Sequence, residues 1–264
     1  MEQIDAELPV PGDIALRFYF VRHGEAEGNV AGIRLGQSES PLTAHGRVQA
    51  AAAGKSLAST VPVFWRFYSS DLGRTVETAT VLKNARQRQF LSVGNSATKD
   101  PDGSMSLEAS LRERAKGVYE LKKRGLTYQE AYSEHLRRGG SPDTIPLEET
   151  DDEVFTRVRQ WIKRVLDEAI DEISADRKLI DAAFNLSVLC VSHSGLIRAT
   201  LGHLFNIDSS EISVPNASIS IVEIKAGGCD GFIAKLVQPP DDSHMGPESY
   251  SRNYIINTVL TSSS

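Results

Sequence analysis

At 264 residues, with 40% hydrophobic and 24% charged residues, the chain has the composition of a globular protein able to bury a sizeable core, as one large α/β domain or two small ones. A net charge of −6 argues against nucleic acid or an anionic membrane as the main partner, although local basic groups can still hold a small anion. Cys190 and Cys229 have no CxxC spacing, the acidic stretch Met1 to Asp13 has no apolar core of a signal peptide, and no run approaches roughly 18 apolar residues, so no zinc motif, disulfide framework or membrane span is expected and the expected setting is reducing and cytoplasmic.

Residues Ala15 to Val21 are β-branched or aromatic and end at a glycine turn, which predicts a buried strand. A polar loop follows to Pro41, and Thr43 is placed to cap an alanine-rich helix running to about Ser59. Phe64 to Ser69 is the second predicted strand, with Ser70 or Asp71 capping a helix to about Lys83. The polar stretch from Asn84 to Ser106 is expected to be loop, with a short strand near Leu107. Thr127 to Arg138 has helical character before a Gly-Gly-Ser-Pro break at 139–142. Asp151, Asp152 and Glu153 then open a long helix whose dipole favours acids in its first turn. Val154, Val158, Trp161, Ile162, Val165 and Leu166 recur on one face of it. Leu186 to Val191 is a further strand, Gly195 to Phe205 a helix, and Ala217 to Ile224 with Phe232 to Val237 a hairpin around Ala226 to Asp230. Pro239, Pro240, Asp241 and Asp242 suggest a mobile tail from Gln238 onward. Alternation of strand and helix without repeats predicts one domain, core about 15–237 and tail 238–264, a sheet wrapped by helices with an inserted helical cap over about 107–150.

Chemistry concentrates at two strand ends. Phe18 to Val21 stops at Arg22-His23-Gly24-Glu25, and Val188 to Val191 stops at Ser192-His193-Ser194-Gly195. In open α/β sheets that edge is where ligands bind, so the two histidines are expected to share a pocket. A neutral imidazole can attack phosphorus, and a neighbouring guanidinium both grips phosphate and disfavours ring protonation. Arg74 falls in the first turn of the second helix, where backbone N–H groups favour anions, and Asn29 follows His23 closely enough to donate an amide N–H. A serine nucleophile at Ser192 or Ser194 is disfavoured because Ser-His-Ser-Gly is not Gly-x-Ser-x-Gly. Metal ligation is disfavoured too, since no HExxH occurs and Arg22 would repel a dication beside His23.

Together these motifs resemble the histidine phosphatase, or phosphoglycerate mutase-like, superfamily. Arg-His-Gly-Glu stands at 22–25 with its asparagine at 29, Pro-Leu-Thr-x-x-Gly-x-x-Gln-Ala at 41–50, and Ser-x-x-x-Arg-x-x-x-Thr-Ala at 70–79. Leu-x-Glu stands at 111–113, the second histidine motif at 191–195 and Pro-Asn-x-Ser at 215–218, so the likeness spans roughly 15–225. The resemblance implies a three-layer α/β/α fold with a mostly parallel central sheet and helical cap. It implies a phosphohistidine on His23 and Glu113 as general acid and then base, with Glu108 and Glu120 as rivals for that role. Arg22, Arg74, His193 and Asn29 would stabilise the phosphoryl oxygens, with no metal or cofactor. Ser194, Arg34 and Gln37 are further substrate-binding candidates, and of the basic cap residues Arg112, Arg114, Lys116, Lys122, Lys123, Arg124, Arg137 and Arg138 most are expected to be a solvated face.

Mutases of this family follow their glutamate with Arg-His-Tyr-Gly, whereas Glu113 is followed by Arg114-Ala115-Lys116-Gly117, which favours hydrolysis of a small phosphorylated substrate such as a sugar phosphate or bisphosphate. Mutase-type transfer and a non-catalytic adaptor on the same fold are the alternatives. Oligomeric state is not legible.

Overall fold

Strands made of continuous apolar runs need cover on both faces, and the helices supply it. The computed structural model describes residues 14–92, 103–175, 186–227 and 231–245. It has strands β1 (Ala15–Arg22), β2 (Arg66–Ser69), β3 (Met105–Leu107), β4 (Leu186–Ser192), β5 (Ile219–Ala226) and β6 (Phe232–Asp241). Helices are α1 (Glu27–Val30), α2 (Ala44–Thr60), α3 (Gly73–Ser92), α4 (Tyr128–Arg137), α5 (Asp151–Ala175) and α6 (Ser194–Phe205). The described strands form one sheet in the order β3-β2-β4-β1-β5-β6. β3, β2, β4 and β1 are mutually parallel, while β5 and β6 run antiparallel at one side.

Side-chain alternation along the strands splits the core into two layers. Leu16, Phe18 and Phe20 of β1 pack with Val188 and Cys190 of β4 against α5 and α6. Tyr19 and Val21 pack with Leu189 and Val191 against α2 and α3. The apolar face expected of α5 is the one buried, and Trp161 from it meets Phe18 and Tyr68 edge-on at centroid distances of 5.6 and 5.3 Å. Thr150 and Glu153 form a reciprocal capping box at its start, and Thr43 Oγ1 caps α2 by accepting from Gly46 N–H at 2.9 Å.

Three expectations need correction. α3 runs to Ser92, beyond the expected end at Lys83, and so takes in the start of the stretch read as loop. Its polarity misled: Arg86 is wholly buried and donates to the Leu57 and Val61 carbonyls at the end of α2. β6 continues through Gln238 to Asp241, so no mobile tail begins at 238. Prolines 239 and 240 are tolerated because β6 is an edge strand and the pair falls where its register with β5 shifts, between the Ile221–Gln238 and Ile219–Asp241 pairs. Met245, further on, is buried among α2-side core residues. α1 also forms inside the stretch expected to be loop. The hairpin residues 228–230, Cys229 among them, and the stretch from 246 lie outside the described residues. Between β3 and α5 the chain forms two short 3-10 helices, at 109–111 and 117–119, and then α4.

Candidate active site

β1 and β4 are adjacent and parallel, with Arg22 opposite Ser192, and His23 N–H extends the ladder to the Ser192 carbonyl at 2.8 Å. Beyond that point the chains diverge. After β1 the chain passes to α2 on one face of the sheet, and after β4 it enters α6 on the other. Such a switch point opens a crevice, and the two histidines stand in it with ring centroids 5.3 Å apart.

His23 is nearly sealed from solvent, and its Nδ1 lies 2.7 Å from the Gly24 carbonyl. A carbonyl only accepts, so Nδ1 carries the proton and Nε2 keeps its lone pair. Burial, then Arg74 and Arg22, hold this imidazole well below its usual pKa. The ring is therefore held neutral, with Nε2 unprotonated. The Pro-Asn-x-Ser segment secures it from behind: Asn216 Nδ2 donates to the His23 carbonyl at 3.1 Å, and Arg22 N–H donates to the Ser218 carbonyl. Asn216 Nδ2 also lies 3.4 Å from Asn29 Oδ1, which already accepts from Ala26 N–H, so the amide oxygen of this cavity-lining residue is engaged.

Arg74 is fully buried. It donates from Nη2 to the Gly36 carbonyl at 2.7 Å and from Nη1 to the Ser38 carbonyl at 2.8 Å, and its buried Nε has no protein partner among the described residues. Arg22 donates from Nη1 to the Val214 carbonyl at 2.7 Å. His193 is buried with Nε2 2.9 Å from Ser70 Oγ, and burial, then Arg74, His23, Arg22 and Arg157, hold its pKa well below the usual value.

Glu113 is held by the start of α6. Its carboxylate accepts from the N–H groups of Arg114 (2.7 Å), Gly195 (3.0 Å) and Leu196 (3.1 Å), with Ser194 Oγ at 3.4 Å. Helix N-terminal amides suit a carboxylate and fix its position. Its rivals have other work: Glu108 pairs with Arg164 at 2.7 Å, and Glu120 Oε1 accepts from Gly36 N–H (3.0 Å) and Ser38 N–H (2.9 Å).

A cavity of about 250 Å³ opens over these groups, lined by Arg22, His23, Asn29, Arg34, Leu35, Glu113, Arg114, Lys116, Arg124, Ser194, Gly195 and Arg198. Six of the nine candidate residues named above line it, namely Arg22, His23, Asn29, Arg34, Glu113 and Ser194, and the His193 ring stands tilted beside that of His23. Arg74 is fully buried and not among the lining residues, but acts electrostatically on both imidazoles. Gln37 is not brought in; it is exposed, with Nε2 3.4 Å from the Glu113 carbonyl. The basic cap residues divide. Arg114, Lys116 and Arg124 line the cavity, while Arg112 forms a two-point pair with Asp71 and Arg137 and Arg138 are exposed on or just after α4. Arg198 was missed by the sequence reading, although it lies four residues beyond Ser194 on α6, on the same helical face. Six cations against one carboxylate make the cavity strongly positive in a chain of net charge −6.

The fold and this cavity define an α/β protein with a cation-lined crevice at the switch point of its sheet. The chain matches the histidine phosphatase superfamily (branch 1) over residues 18–231 and belongs to that family. It is 30% identical over 211 residues to a broad-specificity phosphatase of Saccharomyces cerevisiae, covering 79% of each chain. It is 35% identical over 153 residues to a probable phosphoglycerate mutase of Proteus mirabilis, covering 57% of this chain and 63% of that relative, just under two thirds of its length. A solved phosphoglycerate mutase from Bacillus anthracis shares the fold, with a TM-score of 0.63 at 23% identity over 89% of this chain and 96% of the other. Among the described residues no helix is long and apolar enough to cross a membrane.

Proposed function

We propose that this chain is a metal-independent phosphomonoesterase of the cytoplasm, acting on a small phosphorylated metabolite such as a sugar phosphate or bisphosphate. The observation that carries the reading is the unprotonated Nε2 of His23, set by the Nδ1 contact to Gly24 and facing a cavity rich in guanidinium groups. In the first step Nε2 forms a bond to phosphorus while the ester P–O bond breaks, and Glu113 gives its proton to the leaving oxygen. In the second, water attacks the phosphohistidine, Glu113 takes the water proton, and the P–N bond breaks to release phosphate. Arg22, Arg74, Asn29 and His193 carry the charge on the phosphoryl oxygens, the part a divalent cation plays in many other phosphoryl-transfer enzymes. Residues about 107–150 act as the cap of a single domain and bring Arg114, Lys116 and Arg124 to the substrate side.

Hydrolysis of p-nitrophenyl phosphate in the presence of EDTA, with His23→Ala as control, tests the reading. Activity that needs added metal, or that survives the substitution, overturns it. The likeness to a probable phosphoglycerate mutase makes phosphoryl transfer the second reading. Ala115 and Lys116, standing where that branch has histidine and tyrosine, favour hydrolysis. Interconversion of 3- and 2-phosphoglycerate faster than release of phosphate would reverse the choice.

A further inference from the structure

Ser70, at the end of β2, has no exposed surface and no place in the mechanism above. Its hydroxyl has two neighbours among the described residues, His193 Nε2 at 2.9 Å and Leu72 N–H at 3.4 Å. A backbone N–H can only donate, so Leu72 uses an oxygen lone pair and leaves the hydroxyl proton to be placed. Within this arrangement His193 Nε2 is its acceptor. If Nε2 instead carried a proton and donated to Ser70, the buried hydroxyl proton would have no acceptor, an outcome that native interiors avoid.

We propose that Ser70 is a positioning residue that holds His193 in the neutral, Nδ1-protonated tautomer, so that the second histidine serves as a fixed N–H donor to a phosphoryl oxygen and not as a base or a cation. His193 Nδ1 is buried and has no protein partner among the described residues, as expected of a donor whose acceptor arrives with the substrate. The depressed pKa of His193, caused by burial and then by Arg74, agrees with a single ring proton. His23 carries its proton on Nδ1 too, but there the proton faces the Gly24 carbonyl. The same tautomer thus shows opposite edges to the crevice: a lone pair from His23 and a donor from His193. Two lone pairs at this spacing would repel the phosphoryl oxygens, and two protonated rings would leave no nucleophile. The donor role rests on the phosphatase reading, whereas the tautomer does not.

Two-bond 1H–15N spectra of the full-length protein, with the His193 signals assigned by loss in His193→Asn, report the protonation of each ring nitrogen at neutral pH. The expected result is a protonated Nδ1 and a bare Nε2; a protonated Nε2, alone or together with Nδ1, overturns the proposal. Ser70→Ala is expected to release the tautomer in the same spectra and to lower kcat about 10- to 100-fold, short of the roughly 10²–10³-fold of a lost oxyanion donor. A folded Ser70→Ala protein with unchanged kcat and an unchanged His193 spectrum also overturns it. Because an asparagine amide N–H overlays Nδ1–H and a glutamine amide overlays Nε2–H, His193→Asn is expected to retain more turnover than His193→Gln; the reverse order counts against the proposal even if Ser70→Ala does not fold. Failure of the phosphatase reading would show separately, as a wild-type protein inert towards p-nitrophenyl phosphate and unable to bind vanadate whichever tautomer is seen.

Discussion

His23 is a histidine whose neighbours decide which nitrogen carries a proton and which keeps its lone pair. The Gly24 carbonyl takes one ring nitrogen, and burial with two arginines keeps the other unprotonated. An imidazole of ordinary pKa, 6.5, would lose nucleophilicity through half-protonation near that pH, whereas this one stays neutral further into acid. The acid limb of kcat/KM on p-nitrophenyl phosphate is therefore expected to fall below pH 6.5 rather than at it; a pH–rate profile that breaks at 6.5, and does so in a vanadate-binding assay too, would contradict this account. His23→Ala is expected to lower kcat by at least roughly 10³-fold, since the proposed covalent step has no substitute on the chain. The candidate histidines, Arg22 and Arg74 were legible from their strand-end and helix-start positions. Arg198 was not, because a cation on an otherwise apolar helix resembles a solvated side chain until the fold shows what faces it.

At the scale of elements, the loop after α1 joins the segment between β3 and α4 to α3. Glu120 takes the N–H groups of residues 36 and 38, while Arg74 gives its Nη hydrogens to the carbonyls of those two residues. One carboxylate, at the end of the 3-10 helix at 117–119, thus aligns the loop that aligns the guanidinium. Glu120→Ala is expected to weaken vanadate inhibition and kcat/KM about tenfold while leaving far-UV circular dichroism unchanged, with Glu120→Gln intermediate because its amide oxygen still accepts. An unchanged vanadate affinity would show that Arg74 holds its place without Glu120. The N-terminus of α2 is pressed against the His23 turn in a similar way. A Cβ on Gly46 would lie 2.1 Å from the Glu25 carbonyl oxygen, and backbone cannot move aside as a side-chain tip can. Gly46→Ala is expected to cost about 1–3 kcal/mol in denaturant unfolding and to lower activity by displacing the turn.

Across the whole molecule, two imidazoles are buried in the neutral state together with arginines, and stability depends on pH in consequence. Both folded-state pKa values lie below the ordinary 6.5, so between them and 6.5 the unfolded chain binds more protons than the folded one. Stability is accordingly full above pH 6.5 and declines as the pH falls through it. Asp71 and Glu149, depressed by Arg112 and Arg157 respectively, add their own losses further into acid. His203 works the other way, because its hydrogen bond to Asp152 raises its pKa. The thermal midpoint is expected to drop between pH 7 and 5.5, less steeply in His23→Asn; an equal slope in that variant would remove His23 from the explanation.

What the order of residues determined alone was local and periodic. Runs of apolar residues ending in Arg-His-Gly and Ser-His-Ser-Gly mark strand ends, and the 3.6-residue recurrence from Val154 marks α5, because backbone geometry ties side-chain spacing to burial. The extent of α3 and the continuation of β6 past two prolines were decided by tertiary context: a buried arginine that finds carbonyls on the neighbouring helix, and an edge strand whose ladder shifts register where the prolines fall. Only the fold, likewise, separates the surroundings of Glu108, Glu113 and Glu120, three acids in similar local settings. One reaches the amides at the start of α6, one meets an arginine on α5, and one bridges a loop. Which partner a charged side chain meets depends on segments far away in the chain, and no local pattern encodes that distance.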